Sequence, residues 1–523
     1  MSQLSAELRS KFAWYKDYTS RTIREQWAAD ALGRVWKVRI PSGEAEVRLS
    51  KKQIEYVLDE LTGYDLLRDE ESGCYVSCFE RIWASDCLLE DALVPRLVTS
   101  IASFRSSNRS RPVTSSSDGV SFILDPYLYP LVYHRSLVQH RGDSYSTVPA
   151  PSGDALYLTS SSMLPSRVHV SPSSEAIFTS YINNVETASH PEMYASLGSL
   201  LSAFIPMFEH TLTDLHRNNP LGQRIPGPCK YAEWDEPDSP EYSDDEAGWV
   251  AYERELRAWT LNRPIRLPDV PKNGYIGGLE KRRHQVKLTG RDIYVIVQIE
   301  DIRLDPDKPE YAGSSWSVCG MLNERVVACG VYCASMDNVM DPSISFRMAV
   351  TSPKGFMAGD TGATLRTWGL QHDDPCRQHL GSAPLRQGGA VCFPNIYQHQ
   401  YSPFRLTNSE RPGHVTMVTF LLVDPELSGI KGSSGRELIP STASVPPQQR
   451  EWIARAVDGA IDKRLPVEVV ERIMGYVEGL MSRDAASTIR NQMAREREVW
   501  SALIEQSYFH VHFDMWIGPG FGW

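Results

Sequence analysis

Nine cysteines are the most reactive side chains of this sequence: Cys74, Cys78, Cys87, Cys229, Cys319, Cys329, Cys333, Cys376 and Cys392. No two make a Cys-x-x-Cys unit, so a zinc ribbon is not indicated and reduced, buried thiols are expected. Cys329 and Cys333 stand four apart in an extended-looking run, which turns both to one face; buried packing is the default reading, with a disulfide or a metal pair as the alternative. His372, Asp373, Asp374 and His379 crowd a loop-like stretch, where a metal site competes with a solvated loop. There is no phosphate-binding loop ending in Lys-Ser/Thr, no dinucleotide glycine fingerprint after a strand, no Gly-x-Ser-x-Gly and no His-Glu-x-x-His. The commonest cofactor signatures are thereby removed.

The elements that must position these residues change character along the chain. Ile23, Trp27, Ala28, Ala31 and Leu32 recur at helical spacing, as do Ile54, Val57, Leu58 and Leu61. Between them, alternation around Pro41-Ser42-Gly43 signals a hairpin. Segments 105–118 and 143–175 are rich in Ser and Pro and read as loops. Leu197, Leu200, Leu201, Phe204 and Met207 mark a long helix over about 190–215, and Tyr252 to Leu261 a shorter one. From about residue 290 the runs 292–299, 325–332, 389–394 and 415–423 are β-branched, without a ten-residue helix between them. An antiparallel sandwich or jelly roll is favoured over a doubly wound sheet. After Pro446-Pro447 the pattern turns helical again, and Gly518 to Trp523 reads as a flexible tail.

Composition bounds the partners. The chain of 523 residues is long enough for about three domains. Lys plus Arg number 54 against 65 Asp plus Glu, a net charge of −11 that repels polyanions, so no nucleic-acid partner is expected. Residues 233–246 concentrate acids and read as a solvated loop or, alternatively, a docking surface for a basic partner. Val415 to Val423, interrupted by Thr416 and Thr419, is about half the ~20 residues that span a bilayer. The N-terminus lacks an apolar stretch behind a basic start. A cytoplasmic protein with a small-molecule substrate and no membrane partner is expected, and the oligomeric state stays open. Asn108-Arg109-Ser110 matches a glycosylation acceptor, which means little without a secretory route.

A series of phrases carries a family resemblance. Leu128-Tyr129-Pro130-Leu131-Val132-Tyr133, Thr179-Ser180-Tyr181-Ile182-Asn183-Asn184, Arg263-Pro264-Ile265-Arg266-Leu267-Pro268, Gly320-Met321-Leu322-Asn323-Glu324, Phe393-Pro394-Asn395-Ile396-Tyr397-Gln398-His399 and Val445-Pro446-Pro447-Gln448-Gln449-Arg450-Glu451-Trp452 run in order from about residue 120 to 500. In these the chain resembles the fungal family catalogued as domain of unknown function 4246, which is similar to Fe(II)/2-oxoglutarate oxygenases. The resemblance implies an α+β fold: a double-stranded β-helix (jelly roll, cupin-like) core over 286–430. Around it would lie an N-terminal α/β region over 1–100, a helical and loop-rich region over 101–285 and a C-terminal helical region over 431–523.

It also implies a site. Such oxygenases hold iron on a His-x-Asp/Glu pair and a distal His, a facial triad with open positions for cosubstrate and oxygen. Where the family reads Trp-His-Val-Glu-Gly, this chain reads Trp316-Ser317-Val318-Cys319-Gly320. The distal His is kept as His399. The family's basic residue after Pro-Gly-His, which would pair with the cosubstrate carboxylate, is Val415 here, with Arg405, Arg411 or Arg347 as conceivable substitutes. The expectation is a degenerate oxygenase scaffold that needs no cofactor and catalyses a cyclisation, isomerisation or dehydration in fungal secondary metabolism. His399, Cys319 and Ser317 would be catalytic, and Tyr181, Asn183, Asn184, Trp316, Asn323, Tyr332, Arg347 and Tyr397 would bind substrate. Two alternatives stand beside it: a working oxygenase using Fe(II) and 2-oxoglutarate on His399 and Cys319 plus another ligand, and a non-catalytic binding protein. Against each role stands a bland one. His399 is acid/base or a satisfied relic, Cys319 a nucleophile, soft ligand or small filler, and Tyr181 to Asn184 a cavity wall or a structural turn.

Overall fold

The computed structural model describes all residues except 12, 108–113, 116–119, 141–143, 152–158, 228–229, 232–235, 263, 432–436, 461–464 and 517–523. Asn108-Arg109-Ser110, Gly518 to Trp523 and part of the acidic segment therefore lie outside the described residues. The strands that build the site are β1 (Tyr75–Val76), β2 (Trp83–Ser85), β3 (Ser166–Val170), β4 (Ala176–Phe178), β5 (Arg291–Leu304), β6 (Val326–Asp337), β7 (Ser343–Ala349), β8 (Arg377–Pro384), β9 (Ala390–Pro394), β10 (Gln398–Tyr401) and β11 (Gly413–Val423). The helices that cover them include α1 (Ser2–Arg9), α2 (Pro191–Leu215) and α3 (Arg483–Ile504).

The β-branched runs form the centre of a large antiparallel sheet in the order β4-β3-β5-β11-β6-β9-β2-β1. Its register sets Val295 opposite Leu422 and Ile299 opposite Val418 on one side of β11, and Cys329 opposite Leu421 on the other. Successive side chains of a strand point to opposite faces, and the sequence uses both. Ile293, Val295, Val297 and Ile299 of β5 join Val418, Phe420 and Leu422 of β11 in a core with Leu197, Leu201, Phe204 and Phe208 of α2. Gly330 is the point of closest approach, where a Cβ would stand 2.7 Å from the Phe204 ring and 3.1 Å from Phe208. The opposite alternation sends Tyr294, Ile296, Cys329, Val331, Met417 and Leu421 into a second core. A small antiparallel sheet, β8-β7-β10, closes that core with Ile344, Phe346, Leu380 and Tyr401. The fold is thus a mixed helix and sheet structure in which the large sheet and this small antiparallel sheet share one apolar interior.

Most expected elements form. The first two amphipathic patterns are helices Arg21–Gly33 and Lys51–Leu67, and the hairpin pairs Trp36–Ile40 with Gly43–Val47. The third is α2, and the fourth extends to Glu246–Asn262. Segment 143–175, read as loop, instead contains β3, which pairs with β5 through Ser166 opposite Val295. The strands of the small sheet, β7, β8 and β10, were not among those expected. Between β7 and β8 lies a helix, Thr361–Trp368, whose Asp360 side chain accepts from the Ala363 amide at 2.8 Å and whose end is Gly369 at φ 68°. Among the described residues no helix is long and apolar enough to cross a membrane.

Candidate functional site

The site begins as a backbone pairing. Ser317 donates its amide to the His399 carbonyl at 3.1 Å, and His399 returns the bond to the Ser317 carbonyl at 2.9 Å. Residues directly opposite in an antiparallel pair share a face, and Cys319, two residues on, shares it too. The result is a contact of 3.9 Å between Cys319 Sγ and His399 Nε2. Asn395 fixes the cysteine: its side-chain carbonyl accepts the Cys319 amide at 2.7 Å, and its amide nitrogen donates to the carbonyls of Cys319 at 2.7 Å and Val326 at 2.9 Å. The chain then reverses at Gly320, φ 74°, where a Cβ would meet Val326 at 2.9 Å. Glu324 ties the end of the loop, accepting the amides of Met321 at 2.6 Å and Met163 at 2.7 Å and pairing with Arg497 of α3.

This pair is polarised. Cys319 is pulled down to about 5, first by a hydrogen bond from the Cys329 thiol and then, against the desolvation of burial, by the charge and hydrogen bond of His399. Burial would lower His399, but the charge and hydrogen bond of Cys319, with Glu300 behind, outweigh it and raise the ring above its ordinary value. The two opposite shifts, the thiol down and the ring up, favour a thiolate beside an imidazolium. Glu300, on β5 and facing the same interior, is pushed up to about 7 by burial; the Tyr401 hydroxyl, donating to it at 2.8 Å, opposes that rise, and the Cys319 charge adds to it. His399 Nδ1 and Thr419 Oγ1 are buried without a hydrogen-bond partner among the described residues. Cys319 and His399 themselves are half-buried.

The other expected site residues are placed elsewhere. Arg347 pairs opposite Gln398, so it points away from the face of His399. There its guanidinium lies 4.5 Å over the Trp316 ring and bonds Gln398 and Glu505 at 2.6 Å each. Strand parity sends Tyr332 into the α2 core, away from the cysteine. Tyr397 fills the inter-sheet core, its hydroxyl donating to the Glu80 carbonyl at 3.4 Å. Asn323 spends its amide nitrogen on Tyr133, Thr159 and Ser161. Asn183 and Asn184 donate to the carbonyls of Leu128, Tyr129 and Asp125, and the Tyr181 hydroxyl donates to Pro446 at 3.3 Å. These are turn-fastening bonds. Only Ser317, Cys319 and His399 come together.

His372 and His379 do not meet either. His372 lies 3.8 Å from Asp514, whereas His379 stacks edge-on with Trp316 and is driven down to about 4 by burial and by Arg39, Arg347 and Arg377. A cavity of about 1020 Å³ opens beside it, lined by Ser2, Arg9, Trp36, Ser345, His379 and Gln400. It reaches neither Cys319 nor His399. Residues overlooked in the sequence are Glu300, Tyr401, Asn395, Glu324 and Arg497; two acids inside the apolar run of β5, Glu300 and Asp301, were the legible signal.

An iron centre of the facial-triad kind does not fit this donor set. His399 Nε2 faces a thiol, Ser317 offers a neutral hydroxyl, and among the described residues no three His, Cys, Asp or Glu side chains gather as a ligand set. At the positions where the resemblance would put a partner for a cosubstrate carboxylate, Val415 is fully buried, Arg411 is paired with Asp337 at 3.2 Å and Arg347 faces away.

The profile of a family described as "Protein of unknown function (DUF4246)" matches residues 51–456. The chain belongs to this family. No curated protein matches its sequence. Among solved structures it is similar to the Fe(II)/(alpha)ketoglutarate-dependent dioxygenase TqaL, at 10% identity over 68% of this chain and 96% of that one, TM-score 0.25. AviO1 from Streptomyces viridochromogenes Tue57 aligns at 10% identity over 70% and 96%, TM-score 0.22. IDO from Bacillus thuringiensis aligns at 5% over 26% of this chain, which spans about half of that protein (49%), TM-score 0.16. The likeness is faint in each case.

Proposed function

We propose that this family member is a small-molecule enzyme on a degenerate Fe(II)/2-oxoglutarate oxygenase scaffold, working without a cofactor. The two sheets around the second core are read as the faces of a double-stranded β-helix spanning 286–430, with the flanking regions packed on it. The observation that carries the reading is the 3.9 Å contact between Cys319 and His399, held at the place where the resemblance puts the iron ligands.

A thiolate and an imidazolium side by side are a base and an acid already in the right protonation states. In an isomerisation Cys319 Sγ takes a proton from carbon while His399 Nε2 delivers one to another atom of the substrate. In a dehydration the imidazolium proton goes to the departing hydroxyl, which leaves as water. Either way the pair resets by passing the proton from sulfur to nitrogen. Cyclisation uses the same acid and base with the substrate held in a reactive conformer. The Ser317 hydroxyl, on the same face, is a hydrogen-bond donor to the reacting group. The fungal setting, the secondary-metabolic role and the cytoplasmic location belong to this reading on the strength of the resemblance and the acidic charge.

The test is an untargeted metabolite assay: purified protein, with Cys319→Ala and His399→Gln controls, is incubated with extract under chelator and without oxygen. A product isomeric with its precursor, or lighter by one water, that needs both residues is expected. A product that has gained oxygen, formed only with iron and 2-oxoglutarate and with matching succinate, would overturn the reading.

A further inference from the structure

The outward face of the small sheet is roofed rather than open. Alternation along β7 turns Ile344 and Phe346 into the inter-sheet core and Ser343 and Ser345 the other way. Over that other face lie α1 and the hairpin of Trp36–Ile40 with Gly43–Val47, and between roof and sheet is the cavity of about 1020 Å³ beside His379. Its size is at the upper end of small-molecule sites, ~300–1,000 Å³. The sheet supplies hydroxyls and amides. Register sets Ser345 between Ser382 of β8 and Gln400 of β10, and Ser345 Oγ stands 2.8 Å from Ser382 Oγ and 2.7 Å from Ser402 Oγ. A hydroxyl has one proton and two lone pairs, so this chain of three has donor and acceptor positions left for a guest. The roof supplies charge. Lys37 and Arg39, two apart on one strand and hence on one face, are exposed, and the side chain of neither makes a hydrogen bond or ion pair among the described residues. The register sets Glu46 and Glu44 opposite them, outside ion-pair distance. The other two cations of the lining are spent, Arg9 on the carbonyls of Val76 and Ser77 and Arg386 on Asp86, and the acid Glu7 is paired with Arg34 at 2.8 Å. His379 in the wall is driven down to about 4 by burial and by Arg39, Arg347 and Arg377, so at neutral pH it is a neutral hydrogen-bonding ring in a positive field.

We propose that this cavity binds a hydroxylated small-molecule anion of the sugar-phosphate class. Its phosphate lies with Lys37 and Arg39, which give charge-assisted hydrogen bonds, and its hydroxyls lie on the Ser345–Ser382–Ser402 chain and the Gln400 amide. Two features favour such a guest over an apolar one: the hydroxyl wall, and the pair of cations left without an acid of their own. The site is separate from the pair that carries the proposed function, although the two share a strand. On β10 Gln400 lines the cavity while His399, one residue before it, faces Cys319. No turnover is involved, so the binding stands whatever reaction Cys319 and His399 perform.

Binding is measured on the full-length protein by equilibrium dialysis with labelled glucose 6-phosphate, with inorganic phosphate and glucose as comparators. One equivalent of glucose 6-phosphate per chain is expected, held more tightly than either comparator. The double variant Lys37→Gln with Arg39→Gln, which changes only exposed side chains, is expected to lose that binding. Ser345→Ala is expected to weaken glucose 6-phosphate but not phosphate, and Cys319→Ala to bind as the wild type does; circular dichroism and thermal unfolding check that each variant is folded. Four results would overturn the proposal: no saturable binding of glucose 6-phosphate to the wild type, binding unchanged in the folded double variant, glucose held as tightly, which removes the role of charge, or phosphate held as tightly, which removes the role of the hydroxyl wall.

Discussion

Replacing His399 by Gln removes the cation beside the Cys319 sulfur and leaves the backbone bridge to Ser317 in place. Two opposite unit charges 3.9 Å apart attract by about 4 kcal/mol at an effective dielectric constant of about 20, worth about three pKa units. The Cys329 hydrogen bond, the largest influence on the thiol, survives the change. The midpoint of Cys319 alkylation, followed peptide by peptide with iodoacetamide across pH, is thus expected near about 5 in the wild type and near about 8 in His399→Gln. Cys329→Ala should raise it as well, by removing the donated hydrogen bond, whereas Cys329→Ser should raise it less. A wild-type midpoint in the ordinary thiol range, or one that His399→Gln leaves unmoved, refutes the ion-pair reasoning.

Other perturbations test the frame around the pair. Glu300 binds a proton on folding between its unfolded value of about 4.5 and its folded value of about 7, so wild-type stability should fall by about 3 kcal/mol as pH rises through that window. Glu300→Gln removes this dependence, and urea unfolding of the two proteins at pH 5 and pH 8 checks it; parallel curves would contradict it. Gly330→Ala drives a methyl into Phe204 and should cost about 1–3 kcal/mol in thermal unfolding. Arg497→Leu leaves the Glu324 carboxylate, wholly buried, without its cation; a loss of about 3–5 kcal/mol is expected, measured by denaturant midpoint, and a neutral result would show the ion pair is not what holds the Cys319 loop to α3.

The centre of the fold was legible because its strands are long and β-branched: β5, β6 and β11 are buried on both faces and read as apolar runs. The small sheet was not, since β7 and β8 mix serines, two arginines and a histidine with their apolar residues and β10 is only Gln398–Tyr401. The helix at Thr361–Trp368 is too short to show a periodic face, although Asp360 and Gly369 mark its ends. Within the candidate site, family resemblance pointed to Ser317, Cys319 and His399, and strand pairing sets them side by side. Parity turns Tyr332 and Arg347 to other faces, a matter of register that a single sequence does not display. Asn183 and Asn184 looked available because polar turn residues and cavity walls have the same composition; their amides turn out to be spent on neighbouring carbonyls. Glu300 was overlooked although an acid in an apolar strand carries a desolvation cost that asks for a reason.

The claim that a cysteine–histidine pair has replaced the iron site is tested most directly by anaerobic titration of the purified protein with Fe(II) in the presence of 2-oxoglutarate. No metal-to-ligand charge-transfer band is expected from the natural chain, and a band is expected from the double variant Ser317→His with Cys319→Glu. A stoichiometric band from the natural chain would contradict it and return the site to oxygenase chemistry.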